Sequence, residues 1–117
     1  MSFVFEFVVV YSNSSKINLL GVGKDCINKY GAVSEETAKE MAERVREMFS
    51  SELGLSITGI AGPNGGSKGK PVGLTYIGLS TKQETRVQKF QFGSIRKSNK
   101  LRASQAALNW MRLEVPN

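Results

Sequence analysis

A nine-residue stretch near the start of the chain, "FVFEFVVVY", constrains the fold most. Three valines in a row, at positions 8–10, are typical of a strand that is buried on both faces, whereas alternation is typical of a half-exposed strand. Helices must then cover the sheet on each side, because both faces have to be removed from water. We therefore predict a strand over residues 3–11 in a mixed sheet with helices on both faces.

The clearest helix signal is "SEETAKEMAERVREMFSSELG". Ser34 is the predicted N-cap, Glu35 and Glu36 complement the helix dipole, and Gly54 is predicted to stop the helix. Apolar residues recur at helical spacing and predict one core-facing stripe, formed by Ala38, Met41, Ala42, Val45, Met48 and Phe49.

The remaining segments give the order β-α-α-β-β-β-α. A short helix is predicted to start at Ser12 or Asn13 and to end near residues 21–23, and "LSITGIAG" reads as a strand. A glycine-rich loop, "GPNGGSKGKP", leads to the hairpin strands "VGLTYIGLS" and "TRVQKFQF". A last helix is predicted from about Ser94 or Ser98 to Leu113, with a buried face of Leu101, Leu108 and Met111 and with Trp110 at its edge. Residues 1–117 are one domain by length.

Two residue counts limit the chemistry. The chain has no histidine, which excludes imidazole acid/base catalysis and histidine zinc sites, and its one cysteine, Cys26, excludes an internal disulfide and a cysteine-rich metal site. We expect neither a metal nor a cofactor. A nucleophile in this chain would need activation by lysine, tyrosine or a carboxylate.

Charge and hydropathy limit the partners. No apolar run approaches the about 20 residues that cross a bilayer, and no signal-peptide pattern is present, so we expect a cytoplasmic protein without membrane contact. The net charge is +6, partly from the cluster "RKSNKLR". Such a cluster suits a phosphorylated small molecule, nucleic acid or plain solubility. No aromatic residue is interleaved with it, which disfavours nucleic acid.

Polar turns follow two of the predicted strands, namely "YSNSSK" and "TGIAGPNGG". Ligands of open α/β sheets bind outside the carboxyl ends of the strands, so we expect these turns to meet at one edge. Lys16 lies in the first turn of a helix, where a positive charge is unfavourable. It is either a partly desolvated general base or a lysine facing water, and Ser12 is either its partner or a helix cap. The glycines offer backbone N–H groups to an anion, and Thr58 offers a hydroxyl.

Several of these segments together resemble a known family. "VVVYSNSSKINLLGV", "YGAVSEETAKEMAERVREMF", "LGLSITGIAGPNGG", "KPVGLTYIGL" and "QAAL" are similar to the C-terminal domain of the CinA, or competence/damage-inducible, family. The resemblance runs from about Val8 to Leu108. It implies a three-layer α/β/α sandwich around a mixed sheet. Family members include amidases that convert nicotinamide mononucleotide to nicotinate mononucleotide and ammonia, using a serine nucleophile paired with a lysine.

The resemblance also implies roles for individual residues. Lys16 matches the lysine of the family's "YSNxxK" motif, and Tyr11 and Thr58 match the tyrosine and the "TGIAGP" threonine, so these three are the expected catalytic residues. A nucleotide is the expected small-molecule partner. Its expected binding residues are Ser12, Asn13, Gly59, Gly62 and Arg96, although "FGSIRKS" departs from the family's usual "GDR" around the arginine.

Relative to the family, the sequence lacks the first helix, the first strand and the "ESCTGG" turn that carries the nucleophile. We therefore expect the strands around residues 3–11 and 55–62 to pair directly, or the gap to be filled by a second copy or a companion chain. Two functions stay open. One is an amidase whose serine is Ser12, Ser14, Ser15 or a partner's residue, and the other is a non-catalytic nucleotide-binding or assembly subunit.

Overall fold

The computed structural model describes residues 5–7, 23–31, 33–60, 71–93 and 96–114. For β1, Lys24 and residues 96–100 it describes the backbone alone. The described elements are β1 (Phe5–Phe7), α1 (Lys24–Tyr30), α2 (Glu35–Met48), β2 (Leu53–Gly59), β3 (Leu74–Ser80), β4 (Thr85–Gln91) and α3 (Arg96–Glu114). The predicted order of strands and helices is confirmed, except that the first helix of the prediction lies outside the described residues and α1 was not predicted.

The described strands form one mixed sheet in the order β1-β2-β3-β4. β1 is parallel to β2, with Phe5 opposite Leu53, and the other two pairs are antiparallel. The direct pairing of the first strand with β2 is thus confirmed. The β3–β4 hairpin turns at residues 81–84, as predicted, and the Thr81 hydroxyl accepts the backbone N–H groups of Gln83 and Glu84.

Alternate residues of β2 face different helices, which makes the molecule a three-layer α/β/α sandwich. Leu53 and Leu55 pack in the core on the α3 face, whereas Ser56 donates its hydroxyl to the Ala38 carbonyl of α2 at 2.7 Å. β2 is therefore covered by a helix on both faces. This agrees with its sequence, in which apolar and polar residues do not simply alternate.

The α2 face of the sheet is built from small residues, which let the helix approach the strands closely. Gly54 is opposite Ser80 and Ser56 is opposite Gly78 in the β2–β3 register. A Cβ on Gly78 would lie 2.6 Å from the Ala38 carbonyl oxygen. Gly54 faces α2 from within β2, so its prediction as the helix stop was wrong. The helix ends at Met48, and Ser50 then adopts a left-handed φ of 50°.

The α3 face holds the larger apolar core. Trp110 is 6% exposed and lies inside this core, not at its edge. The predicted burial of Leu101 and Leu108 was wrong, because they are 60% and 53% exposed. Small residues on α3 face the sheet and the leucines point away. The buried core on this face comprises Leu53, Leu55, Ile77, Leu79, Ala107 and Trp110.

Two further differences concern the first two helices. Met48 and Phe49, which were predicted to be core residues, are 44% and 42% exposed, because α2 extends past the end of the strands. The sequence signals for α1 are weak, since Gly23 is its N-cap without a side-chain hydrogen bond and Asp25 is its one acidic residue in the first turn.

Candidate functional site

The direction of the strands gathers several chain segments at one edge of the sheet. β1 and β2 are parallel, so both end at this edge. β3 begins at this edge, because its second residue, Thr75, is opposite Gly59 at the end of β2. β4 ends at the same edge, because Gln91 is opposite Leu74, the first residue of β3. Five residues after Gln91, α3 begins at Arg96. We call this the carboxyl edge.

The start of α2 lies on the same side of the molecule. Arg46 lies beside Gly54 at the amino end of β2, and Ala38 is bonded to Ser56 further along the strand. The helix therefore runs opposite to β2, and its first turn points to the carboxyl edge. Helix amino termini carry partial positive charge and unpaired N–H groups, which favour anions.

Thr58 and Gly59 form the end of β2 at this edge. Thr58 is buried, with 4% exposure, and shares the α2 face of the strand with Ser56. Gly59 is exposed to solvent, but its backbone lies close to Thr75. A Cβ added at Gly59 would lie 2.8 Å from the Thr75 hydroxyl oxygen. Beyond it, Ile60 donates its N–H to the Leu74 carbonyl at 2.9 Å and accepts that of Gly73 at 3.0 Å. The strand end is thereby held in place.

The first turn of α2 is held by a hydroxyl cluster around Gly31. Ser34 caps the helix by accepting the Thr37 N–H at 3.1 Å. Both hydroxyls, those of Ser34 and Thr37, donate to the Gly31 carbonyl, at 3.0 and 2.7 Å. The capping by Ser34 was predicted from sequence, whereas the role of Thr37 was missed. Thr37 is the third residue of the helix, and this position was the one sign in the sequence of its role.

A second set of contacts ties α1 to α2. The Glu40 carboxylate accepts the Gly23 N–H at 2.7 Å, and the Cys26 sulfur lies 3.8 Å from the Thr37 hydroxyl. Burial raises the pKa of the Cys26 thiol, and the Glu40 carboxylate raises it further while the Thr37 hydrogen bond opposes this. Cys26 is therefore largely an uncharged thiol at neutral pH. Sequence inspection gave no sign of the Glu40 contact, which spans two helices.

Three of the predicted site residues lie within the described residues. Thr58, Gly59 and the backbone of Arg96 come to the carboxyl edge, and the side chain of Arg96 is not described. The other five lie outside the described residues, namely Tyr11, Ser12, Asn13, Lys16 and Gly62. The segments that contain them follow β1 and β2 in the chain.

The described part of the chain holds neither a cluster of metal ligands nor a membrane-spanning helix. No group of three or more Asp, Glu, Cys or His side chains there could hold a metal ion. None of the described helices is both long enough and apolar enough to span a bilayer.

Comparison with known proteins identifies the family. The model of the CinA C-terminal domain matches residues 1–115. The chain belongs to the CinA C-terminal domain family. Among the curated relatives of this CinA domain, the CinA-like protein of Kosmotoga olearia is 49% identical over 107 residues, covering 92% of this chain and 26% of its own. That of Endomicrobium trichonymphae is 50% identical over 108 residues, covering 92% and 25%. The chain thus spans about a quarter of the length of these relatives.

Solved structures of CinA proteins share the fold. The competence/damage-inducible protein of Agrobacterium tumefaciens is 32% identical with a TM-score of 0.84, and the match covers 89% of this chain and 64% of that one. The CinA superfamily protein of Escherichia coli is 27% identical with a TM-score of 0.84, covering 90% and 61%. In both, about a third or more of the solved chain lies outside the matched region.

Proposed function

We propose that this CinA domain binds nicotinamide mononucleotide at the carboxyl edge and hydrolyses its carboxamide to a carboxylate and ammonia. Membership of the CinA family supports the substrate class, since the family includes nicotinamide-nucleotide amidases. The observation that carries the location is the parallel β1–β2 pair, because the segments with "YSNSSK" and "TGIAGP" follow these two strands. A cytoplasmic nucleotide pool is the setting that this proposal implies.

The proposed chemistry is acyl transfer to a serine. Lys16 removes the proton of a serine hydroxyl, and the serine oxygen attacks the carboxamide carbon. The C–N bond then breaks as Lys16 gives that proton to the leaving nitrogen, which departs as ammonia. Water then cleaves the acyl-serine ester and gives nicotinate mononucleotide. Tyr11 and Thr58 are the proposed orienting groups. The nucleophile is Ser12, Ser14 or Ser15, or a serine supplied by a second copy or a companion chain.

The nucleotide phosphate fits the electrostatics of the carboxyl edge. The first turn of α2 points to this edge, and α3 begins beside it. Helix amino termini stabilise anions. Backbone N–H groups near Gly59 and Gly62, the polar Ser12 and Asn13, and the guanidinium of Arg96 are the proposed ligands of the nucleotide. An arginine binds a phosphate through two parallel N–H donors.

A second function, nucleotide binding without turnover, is favoured by the hydroxyl groups in the first turn of α2. Those of Ser34 and Thr37 both donate to the Gly31 carbonyl, so neither is a free nucleophile. If no serine reaches Lys16, the same edge would bind the nucleotide and release it unchanged.

Ammonia release and binding distinguish these functions. The purified chain is incubated with nicotinamide mononucleotide, ammonia is measured with a glutamate dehydrogenase assay, and nicotinate mononucleotide is measured by chromatography. Calorimetric titration of the same sample measures binding. Lys16→Ala should lower turnover by about 10²- to 10⁴-fold, the usual contribution of a general base. Lys82→Ala is the matched control, since Lys82 is an exposed lysine in the β3–β4 turn.

Each outcome has a definite meaning. Release of ammonia that depends on Lys16 and not on Lys82 supports the amidase. Binding without ammonia supports the second function and refutes catalysis by this chain alone. The absence of both binding and release contradicts both functions.

A further inference from the structure

The outward face of α3 carries an exposed apolar stripe. Leu101 and Leu108 are 60% and 53% exposed and are seven residues apart, which places them about two turns from each other on one side of the helix. The opposite side is buried against the sheet through Ala103, Ala107 and Trp110. We call the pair of exposed leucines the leucine stripe. Because the other side of α3 already packs against the sheet, the exposed leucines are available to contact another molecule. An exposed apolar ridge of this kind indicates a docking surface.

Apart from Glu114, the charged residues of α3 are basic. α3 contains the acidic residue Glu114, which pairs with Arg86 of β4 and is not available to a partner. Arg102 and Arg112 are exposed beside the stripe. The basic residues of α3 in the sequence are Arg96, Lys97, Lys100, Arg102 and Arg112. The surface is therefore apolar along its centre and positive along its flanks.

We propose that the leucine stripe docks an acidic amphipathic helix of another polypeptide. A seven-residue spacing matches the repeat with which one helix packs its apolar ridge against another. Carboxylates on the flanks of the incoming helix would lie against Arg102 and Arg112, so charge and shape select the same partner. This proposal is independent of the amidase chemistry at the carboxyl edge.

Charge and geometry disfavour the two other occupants. In a symmetric dimer the basic flanks of the two copies would face each other and repel. Each copy already carries a net charge of +6. A membrane would need several leucines in one plane, but Leu113, the most exposed leucine on α3, lies roughly 120° around the helix from Leu101. The matched region is also joined to further polypeptide in the solved CinA chains, so the fold is known to occur beside other elements.

A labelled peptide tests the proposal. The probe is a fluorescein-labelled helical peptide of three heptads with leucine at positions a and d and glutamate at e and g, and binding to the purified chain is measured by fluorescence anisotropy. We expect saturable binding that weakens as salt is raised. The double variant Leu101→Gln with Leu108→Gln should weaken binding at least about tenfold, as expected when the apolar contact carries 1.4 kcal/mol or more.

Matched controls isolate the leucine stripe. Leu113→Gln changes an equally apolar and more exposed residue on the same helix and should leave peptide binding unchanged. A peptide with lysine in place of glutamate should not bind. Circular dichroism checks that each variant is folded.

Three results would overturn the proposal. The first is peptide binding that is equal in the wild type and the double variant. The second is a dimer in sedimentation that the double variant dissociates, since the occupant would then be a second copy. The third is retention on phosphatidylserine vesicles that the double variant loses while the acidic peptide does not compete.

Discussion

At the residue scale, Gly54 and Gly78 set the distance between α2 and the sheet. A Cβ on Gly54 would lie 2.8 Å from the Cβ of Arg46 and would overlap the Ala42 carbonyl oxygen. The atoms in the way belong largely to the helix backbone, which cannot rotate aside as a side chain can. These glycines are therefore required by close approach, although their φ angles are ordinary for any residue.

Gly54→Ala should lower the free energy of unfolding by about 3 kcal/mol or more, because the added methyl forces the helix and strand apart. Gly93→Ala is the control, since a Cβ there meets nothing within 4 Å, and it should change stability by less than about 0.5 kcal/mol. Urea denaturation measures both. Equal stability of the two variants would refute the close-packing account.

Cys26 gives a second prediction at this scale. Burial raises the pKa of its thiol above the ordinary 9.0, so alkylation by iodoacetamide should be slow at neutral pH and should rise with a midpoint above pH 9. The same chain unfolded in urea is the control and should react with an ordinary thiol profile. A midpoint below that of the unfolded chain would contradict the partial burial of this thiol.

At the element scale, the first turn of α2 depends on Ser34. Its hydroxyl oxygen accepts the Thr37 N–H, its own proton goes to the Gly31 carbonyl, and the residue is 6% exposed. The capping contact thus also holds the connection from α1.

Ser34→Ala should cost about 1 to 2 kcal/mol of unfolding free energy, because a helix cap is lost and the half-buried Gly31 carbonyl keeps one hydroxyl donor, that of Thr37. Ser104→Ala within α3 is the matched control and should be neutral or slightly stabilising, since alanine is the better helix former. Thermal unfolding followed by circular dichroism gives both values. A Ser34 variant as stable as the Ser104 variant would show that the cap contributes nothing.

The end of α3 is attached to β4 by Arg86. Its guanidinium pairs with Glu114 and lies 5.7 Å from the centre of the Trp110 ring. The hydrogen bond from Arg86 lowers the pKa of the Glu114 carboxyl, and the same bond raises the pKa of Arg86. Since the folded-state pKa of Glu114 is the lower one, the pair stabilises the fold above the unfolded pKa of about 4.5, and this is lost as pH falls through the folded value.

Glu114→Gln should therefore lower the melting temperature slightly at pH 7 and leave it unchanged at acidic pH below the folded pKa. The effect is small because both side chains remain in contact with solvent, which screens their interaction. Glu47→Gln, which removes one carboxylate from an exposed pair with Arg44 in α2, controls for the change in net charge. A difference between wild type and Glu114→Gln that persists unchanged into acid would rule out the ion pair as its cause.

At the scale of the whole molecule, β3 is better protected than β4, since it lies between β2 and β4 with a helix on each face. Ile77, Leu79 and Ser80 are 0% exposed. We expect the amides of β3 to exchange slowly with solvent and the outward-pointing amides of β4 to exchange at least about 100-fold faster. Hydrogen exchange followed by NMR measures this. Equal protection of β4 and β3 would mean that something covers the β4 edge.

Sequence patterns predicted the layers of the fold better than the faces of its helices. The strand pattern and the Ser34 cap predicted the sandwich and α2, because both depend on local sequence. The burial of α3 was predicted incorrectly, because its sheet-facing side uses alanines at close range while Leu101 and Leu108 point outward. The helical period was right. The choice of face was wrong for Leu101 and Leu108, whereas Met111 does pack against the core. Size complementarity to the sheet decides the face, and the sequence does not show it.

The candidate site was predictable to a similar extent. The sequence was enough to infer that two polar turns follow strands that end at one edge. The parallel β1–β2 pair supports this inference. The contacts of Glu40 with Gly23 and of Thr37 with Gly31 were not foreseeable, because they join residues of different segments through the tertiary structure.

The parallel pairing of Phe5 with Leu53 also constrains the order of events during synthesis. The first strand leaves the ribosome well before its neighbour in the sheet has been translated. Until β2 emerges, the apolar residues of β1 have no strand to pair with, so they expose apolar surface during that interval. Slower translation between these two segments would lengthen that exposure and lower the yield of soluble protein.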